Sequence, residues 1–153
     1  MLALVAAPVM GQSDESEQIN GTLIVESGLQ ITVDVNNVDF GTVNPNDVSS
    51  AAGSPDVVIS TSANVQHDIQ IIADDPDMTT GSPATKPMSD IEWSIDGTNW
   101  FALSDVTPGD VDTNIAAGVH SNNWTLQHRV SIDTDDEPAT YEGSWTLTVV
   151  ASS

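Results

Sequence analysis

The side chains best placed for chemistry in this chain are carboxylates gathered in two turns. Asp74-Asp75-Pro76-Asp77 is one, and Asp133-Thr134-Asp135-Asp136-Glu137 is the other. Hard cations such as calcium take about six to eight oxygen ligands, and carboxylates clustered at strand ends can supply several. Neither turn follows the EF-hand loop pattern. Two readings stand side by side: a calcium site built from Asp74, Asp75, Asp77, Asp133, Asp135, Asp136 and Glu137, or solvated acidic loops of the kind chance produces in so acidic a chain. The three histidines, His67, His120 and His128, lack the close pairing of metal sites and read as hydrogen-bonded or exposed side chains. No nucleophile elbow, phosphate-binding loop or dinucleotide fingerprint occurs. A glycosidase needs only two carboxylates, but usually also a larger scaffold with an aromatic cleft. The expectation is a protein that is not an enzyme.

Binding chemistry has three further candidates. Trp93 and Trp145 fall on inward registers, and Trp124 opens an inward row. Trp100 is out of phase with Phe101 and Leu103. It reads as an exposed ring able to stack on a sugar beside Asp96 and Asn99, or as a cross-strand cover for its hairpin. The triplets Asn20-Gly21-Thr22 and Asn123-Trp124-Thr125 are glycosylation sequons, with both asparagines on outward registers.

Charge limits the partners. One lysine, Lys86, and one arginine, Arg129, stand against 23 acidic residues, for a formal charge of -21 over 153 residues. Such a chain cannot neutralise a phosphate backbone, which excludes nucleic acid, and anionic lipid repels it. Self-repulsion destabilises the compact state unless salt screens it. The balance suits high salt, divalent cations or the outside of a cell. The absence of cysteine excludes a disulfide framework and thiolate metal sites.

The elements that must carry these groups are strands. Residues 1–11, MLALVAAPVMG, read either as the remnant of an export signal or as a plain apolar N-terminal segment, and they are too short to span a bilayer. Residues 12–18 are acidic and flexible in this reading. From Ile19 onward the apolar residues alternate: Ile19 to Val25, Leu29 to Val35, Asp56 to Thr61, Val65 to Ala73, Ile91 to Ile95, Trp124 to Ile132 and Tyr141 to Val149. Asp96-Gly97 signals a hairpin turn. Asp74 to Ser89 reads as a long loop, and Pro108 to Gly118 as either edge strand or loop. No helical stripe appears. The pattern predicts one all-β domain over residues 19–153, an immunoglobulin-like antiparallel β-sandwich of about eight to nine strands.

Three short pieces carry a resemblance. They are Val38-Asp39-Phe40-Gly41-Thr42-Val43-Asn44-Pro45, then Val57 to Asn64, then Ala139 to Val149. Together they resemble secreted immunoglobulin-like sandwiches of prokaryotic cell surfaces, such as archaeal threads and TasA-like biofilm fibre subunits. The resemblance implies an extracellular or cell-surface, non-enzymatic subunit that assembles with copies of itself. In that family an N-terminal strand of one copy completes the sheet of the next. Here the donor would be Ile19 to Val25, presenting Ile19, Leu23 and Val25, with Glu26-Ser27-Gly28 as hinge. Trp124-Thr125-Leu126 and Trp145-Thr146-Leu147 are also similar to the paired W-x-L motifs of Gram-positive wall-binding domains. That similarity implies the alternative function, a monomeric module binding cell wall or carbohydrate.

The charge balance makes one prediction directly. Thermal stability should rise with sodium chloride, because screening relieves repulsion among the carboxylates. A gain from millimolar calcium beyond its ionic strength would add a specific site. Equal melting temperatures in low and high salt, read by circular dichroism, would contradict the electrostatic account.

Overall fold

The computed structural model describes residues 28–44, 48–50, 56–80 and 83–153. The apolar and acidic N-terminal segments, the donor residues Ile19, Leu23 and Val25, and the sequon asparagine Asn20 lie outside them.

Alternation becomes burial directly. In strands β3 (Val57–Ala63) and β4 (His67–Ala73) every second side chain is buried. Their inward rows, including Ile59 from one and Ile69 and Ile71 from the other, belong to one core. The remaining strands are β1 (Leu29–Val33), β2 (Val48–Ser50), β5 (Asp77–Thr79), β6 (Thr85–Pro87), β7 (Ile91–Ser94), β8 (Phe101–Ala102), β9 (Gly109–Ile115), β10 (Gly118–Ser131) and β11 (Trp145–Ala151). One sheet has the order β1-β3-β10-β7-β8, with β2 also pairing β10; the other has the order β11-β4-β9. All these pairings are antiparallel. The protein is therefore all-β, and an immunoglobulin-like sandwich of eight to nine strands is compatible with this arrangement. Burial of Ile59, Ile69, Ile71, Leu126 and Trp93 between the sheets drives it, each large side chain contributing about 1.5–3 kcal/mol.

The chain crosses between sheets at residues 64–66, from the end of β3 to the start of β4. Gly28 and β1 begin at that same end, since the Gly28 carbonyl accepts from Asn64 and Leu29 pairs with Ala63. We call it the upper end. Val57, Ala73 and Trp145 mark the lower end, roughly 20 Å away along seven-residue strands.

Two details depart from the sequence pattern and two refine it. Ile95, expected inward, is 43% exposed, because β7 stops at Ser94 and the chain turns there. The hairpin that follows is not a two-residue turn. It is a loop over residues 95–100, in which Asp96 accepts from the backbone N–H groups of Thr98 and Asn99. The stretch over residues 108–118 holds the full strand β9. The long loop over residues 74–89 contains the hairpin β5–β6 and a 3-10 turn, Met88–Asp90. The N–H groups of Thr79 and Glu142 each donate to the other residue's carbonyl at 2.9 Å, docking this hairpin beside the segment that leads to β11. Gly143 permits the approach, since a Cβ there would lie 2.5 Å from Met88 Sδ.

The least expected placement is Lys86, which is 1% exposed. Its ammonium donates to Asp90 at 2.6 Å and to Asp136 at 2.7 Å, tying the hairpin to the turn after β10. Both possible trypsin sites are thus protected. The bond after Lys86 leads into Pro87, which trypsin does not cut, and Arg129 lies inside β10, paired on both sides by β2 and β7. Native protein should survive prolonged trypsin. Denatured protein should give only residues 1–129 and 130–153, as mass spectrometry would show. Rapid native cleavage at Arg129 would mean that β10 opens locally.

Candidate functional site

The two acidic turns are positioned by different neighbours. Asp74 follows β4, where its carboxylate accepts from the Thr146 hydroxyl at 2.7 Å. Hydrogen bonds from Ser144 and then Thr146 hold its pKa below the usual aspartate value. Asp75 is exposed, and Asp77 opens β5. In the second turn Asp133, Asp135 and Glu137 are exposed. Asp136 is bound to Lys86, which lowers its pKa, and it also accepts from the Asp133 N–H at 2.8 Å. Burial alone would pull the Lys86 ammonium down. The hydrogen bonds to Asp136 and Asp90 outweigh this and hold it above the usual lysine value. Among the described residues no three histidine, aspartate or glutamate side chains gather as a metal site would need.

Arg129 is engaged as well. Its Nε donates to Glu92 at 2.6 Å, and its guanidinium lies 4.3 Å from the centroid of the Trp100 ring. Trp100 is therefore half-buried, covered on one side by a cation from β10. Asn123 is exposed beside an irregularity in β10 between His120 and Trp124, where Asn122 takes a positive φ of 54°. The first W-x-L triplet points inward, with Trp124 and Leu126 in the core. Trp124 also donates from its indole N–H to Asp112 at 2.7 Å. In the second triplet Trp145 and Leu147 are half-buried.

The histidines divide by environment. His67 is fully buried, with ring nitrogens 2.9 Å from the Thr61 hydroxyl and 3.2 Å from the Val65 carbonyl. His120 stands near the surface, 5.9 Å from both the His67 and Trp124 rings, centroid to centroid. His128 is 2% exposed and packs on Trp145 with centroids 5.0 Å apart. Its Nε2 has no hydrogen-bond partner. None of these is arranged as a nucleophile–base pair open to substrate.

One concave feature is one the sequence did not announce. A groove of about 790 Å³ lies between β1 with the extended segment after it and the segment leading into β11. Ile31, Val35 and Phe40 line one side, and Tyr141, Trp145 and Leu147 the other. Its floor reaches the core at Val57, Ile91 and Leu126. β1 and β11 are the outer strands of their sheets, so each offers an edge without a strand partner among the described residues. The signal that could have found it was an arithmetic one. Val38 and Phe40 lie past the alternating row of Leu29 to Val35, apolar but outside any evident strand, which leaves them needing a cover from elsewhere. No protein-family model matches the chain, and no curated protein matches it.

The environment of His128 gives a pH prediction. Burial disfavours the imidazolium and moves its pKa from 6.5 to about 4, against a smaller opposing pull from Asp56. The unfolded chain takes up the proton first as pH falls. Stability tied to neutral His128 is thus complete above pH 6.5 and drains away as pH falls towards about 4. The full loss is roughly 3 kcal/mol at most. Denaturant titrations across this window should show a shallower decline for His128→Leu than for the parent. Parallel declines would remove His128 as the cause. The lowered carboxylates of Asp68, Asp74 and Asp136 act below this window, since their contribution is lost only as pH drops under the ordinary aspartate range.

Proposed function

We propose that this protein is a non-enzymatic structural subunit of an extracellular fibre or surface matrix, in which a strand of one copy completes the sandwich of the next. The single observation that carries this reading is the groove, with apolar rows on both sides, between β1 and the segment leading into β11, beside a β11 edge that has no strand partner among the described residues. The proposed occupant is Ile19 to Val25 of a second copy. It has the same length as β11, seven residues, and every-other-residue spacing puts Ile19, Leu23 and Val25 on one face.

Strand direction supports donation between copies. The donor segment joins its own copy at Gly28, at the upper end, whereas the groove opens at the lower end, beside Val33 and Trp145. A donor reaching up from a copy stacked below would enter at the lower end with Val25 at the mouth and Ile19 deepest. It would then run from upper to lower, antiparallel to β11. The same segment folding back on its own copy through Glu26-Ser27-Gly28 would run parallel to β11. Antiparallel pairing is the more stable and the more common arrangement. Outlet at one end and acceptor at the other make a heterologous contact that propagates head to tail.

Removing residues 12–25 should abolish filaments in negative-stain images and leave a soluble domain. A synthetic peptide of residues 19–25 should then raise the melting temperature of that domain, by the equivalent of about 2.7 kcal/mol at a hundredfold excess over its Kd. Filaments that persist after the deletion would sink this donor.

A further inference from the structure

We propose that a second cleft, between the edges of β8 and β9, binds a neutral glycan, with Phe101 as its stacking surface and Asp110, Ser104 and Thr107 as its polar rim. The site lies on the flank opposite the β1–β11 groove and does not depend on assembly. β8 and β9 close the far sides of their two sheets. A cleft of about 580 Å³ opens between them, within the range of about 300–1,000 Å³ typical of small-ligand sites.

Its walls are rigid. Phe101 faces its register partner Trp93, with ring centroids 5.1 Å apart. Trp93 itself lies flush against the backbone of β9, where a Cβ on Gly109 would come within 2.8 Å of the indole. Trp100 is held by the Arg129 guanidinium, which Glu92 holds in turn. These restraints fix the rings before any ligand arrives, and prior fixing lowers the entropic cost of binding. Phe101 nevertheless remains 53% exposed.

The polar groups define the ligand. Asp110 accepts from the Gln70 amide at 2.9 Å, leaving its second oxygen without a partner among the described residues. The Ser104 hydroxyl accepts from two backbone N–H groups and can still donate. No basic residue lines the cleft, and the chain carries -21 charges, so an anionic ligand is repelled. A cation is a poorer match. Phe101 offers a single exposed ring, and Trp100, just before β8, turns to the other face under the Arg129 guanidinium, so no aromatic cage forms. A pyranose chain fits both requirements. Its C–H faces cover aromatic rings while its hydroxyls reach carboxylate and hydroxyl groups.

The test uses the full chain, titrated with neutral gluco-, manno- and N-acetylglucosamine hexasaccharides under tryptophan fluorescence and calorimetry. At least one should give saturable binding. Phe101→Ala should weaken that binding about tenfold, the effect of losing an aromatic contact worth about 1.4 kcal/mol, with the melting temperature little changed. Asp110→Asn should weaken it as well, and Val119→Ala, far from the cleft, should not. Absence of saturation with every sugar would overturn the proposal. So would equal affinity in Phe101→Ala, or a response to choline chloride in place of the sugars.

Discussion

A chain with -21 charges stays compact only if apolar burial outweighs the mutual repulsion of its surface. That constraint shapes the whole molecule. The attraction comes from a single layer between two sheets, in which Ile59, Trp93 and Leu126 face Ile69, Ile71 and Val111. The carboxylates are kept on the outer rows and in the turns. There, local hydrogen bonds stabilise several of them, as at Asp96, whose pKa is lowered by the N–H groups of Asn99 and Thr98.

Against this background the two cations have an influence out of proportion to their number. Lys86 is drawn inward because its stem packs beside Met78 across the β5–β6 hairpin and its ammonium meets two carboxylates. A buried pair of this kind is weak evidence for net stability, since desolvation opposes it. Its clear structural effect is to fix where the hairpin docks. Arg129 does something similar at the surface, binding Glu92 on β7 and the ring of Trp100 beyond it. With both cations committed to internal partners, the charges presented to a neighbouring molecule are anionic. Any contact between copies therefore has to be made by backbone pairing and apolar side chains.

The sandwich is open on both flanks, and the two openings differ in character. Between β1 and β11 apolar side chains line both sides, and a strand edge without a partner among the described residues runs beside them. Between β8 and β9 the strands are short or irregular. β8 has two residues, and the pairing of β9 with β4 shifts register twice, so rings and polar side chains take the place of a continuous edge. The same fold thus has two openings of different lining, one beside a strand edge and one mixing rings with polar side chains.

The period-two pattern by itself determined the all-β class, the inward rows of β3, β4 and β10, and the burial of Trp93 and Trp124, because alternation along a strand maps straight onto the two faces of a sheet. It also determined the sign of the surface. It misplaced Ile95, since where a strand ends is decided by the turn that follows and not by the row behind it. It gave no hint that Lys86 would be buried, that His128 would face the core with an unpartnered nitrogen, or that residues 31–40 and 140–147 would border a groove. Those outcomes depend on which distant segments meet. Asp136 is 50 residues from Lys86, and β1 and β11 lie at opposite ends of the described chain. Periodicity is a local property; the meeting of such segments is set only when the two sheets pack.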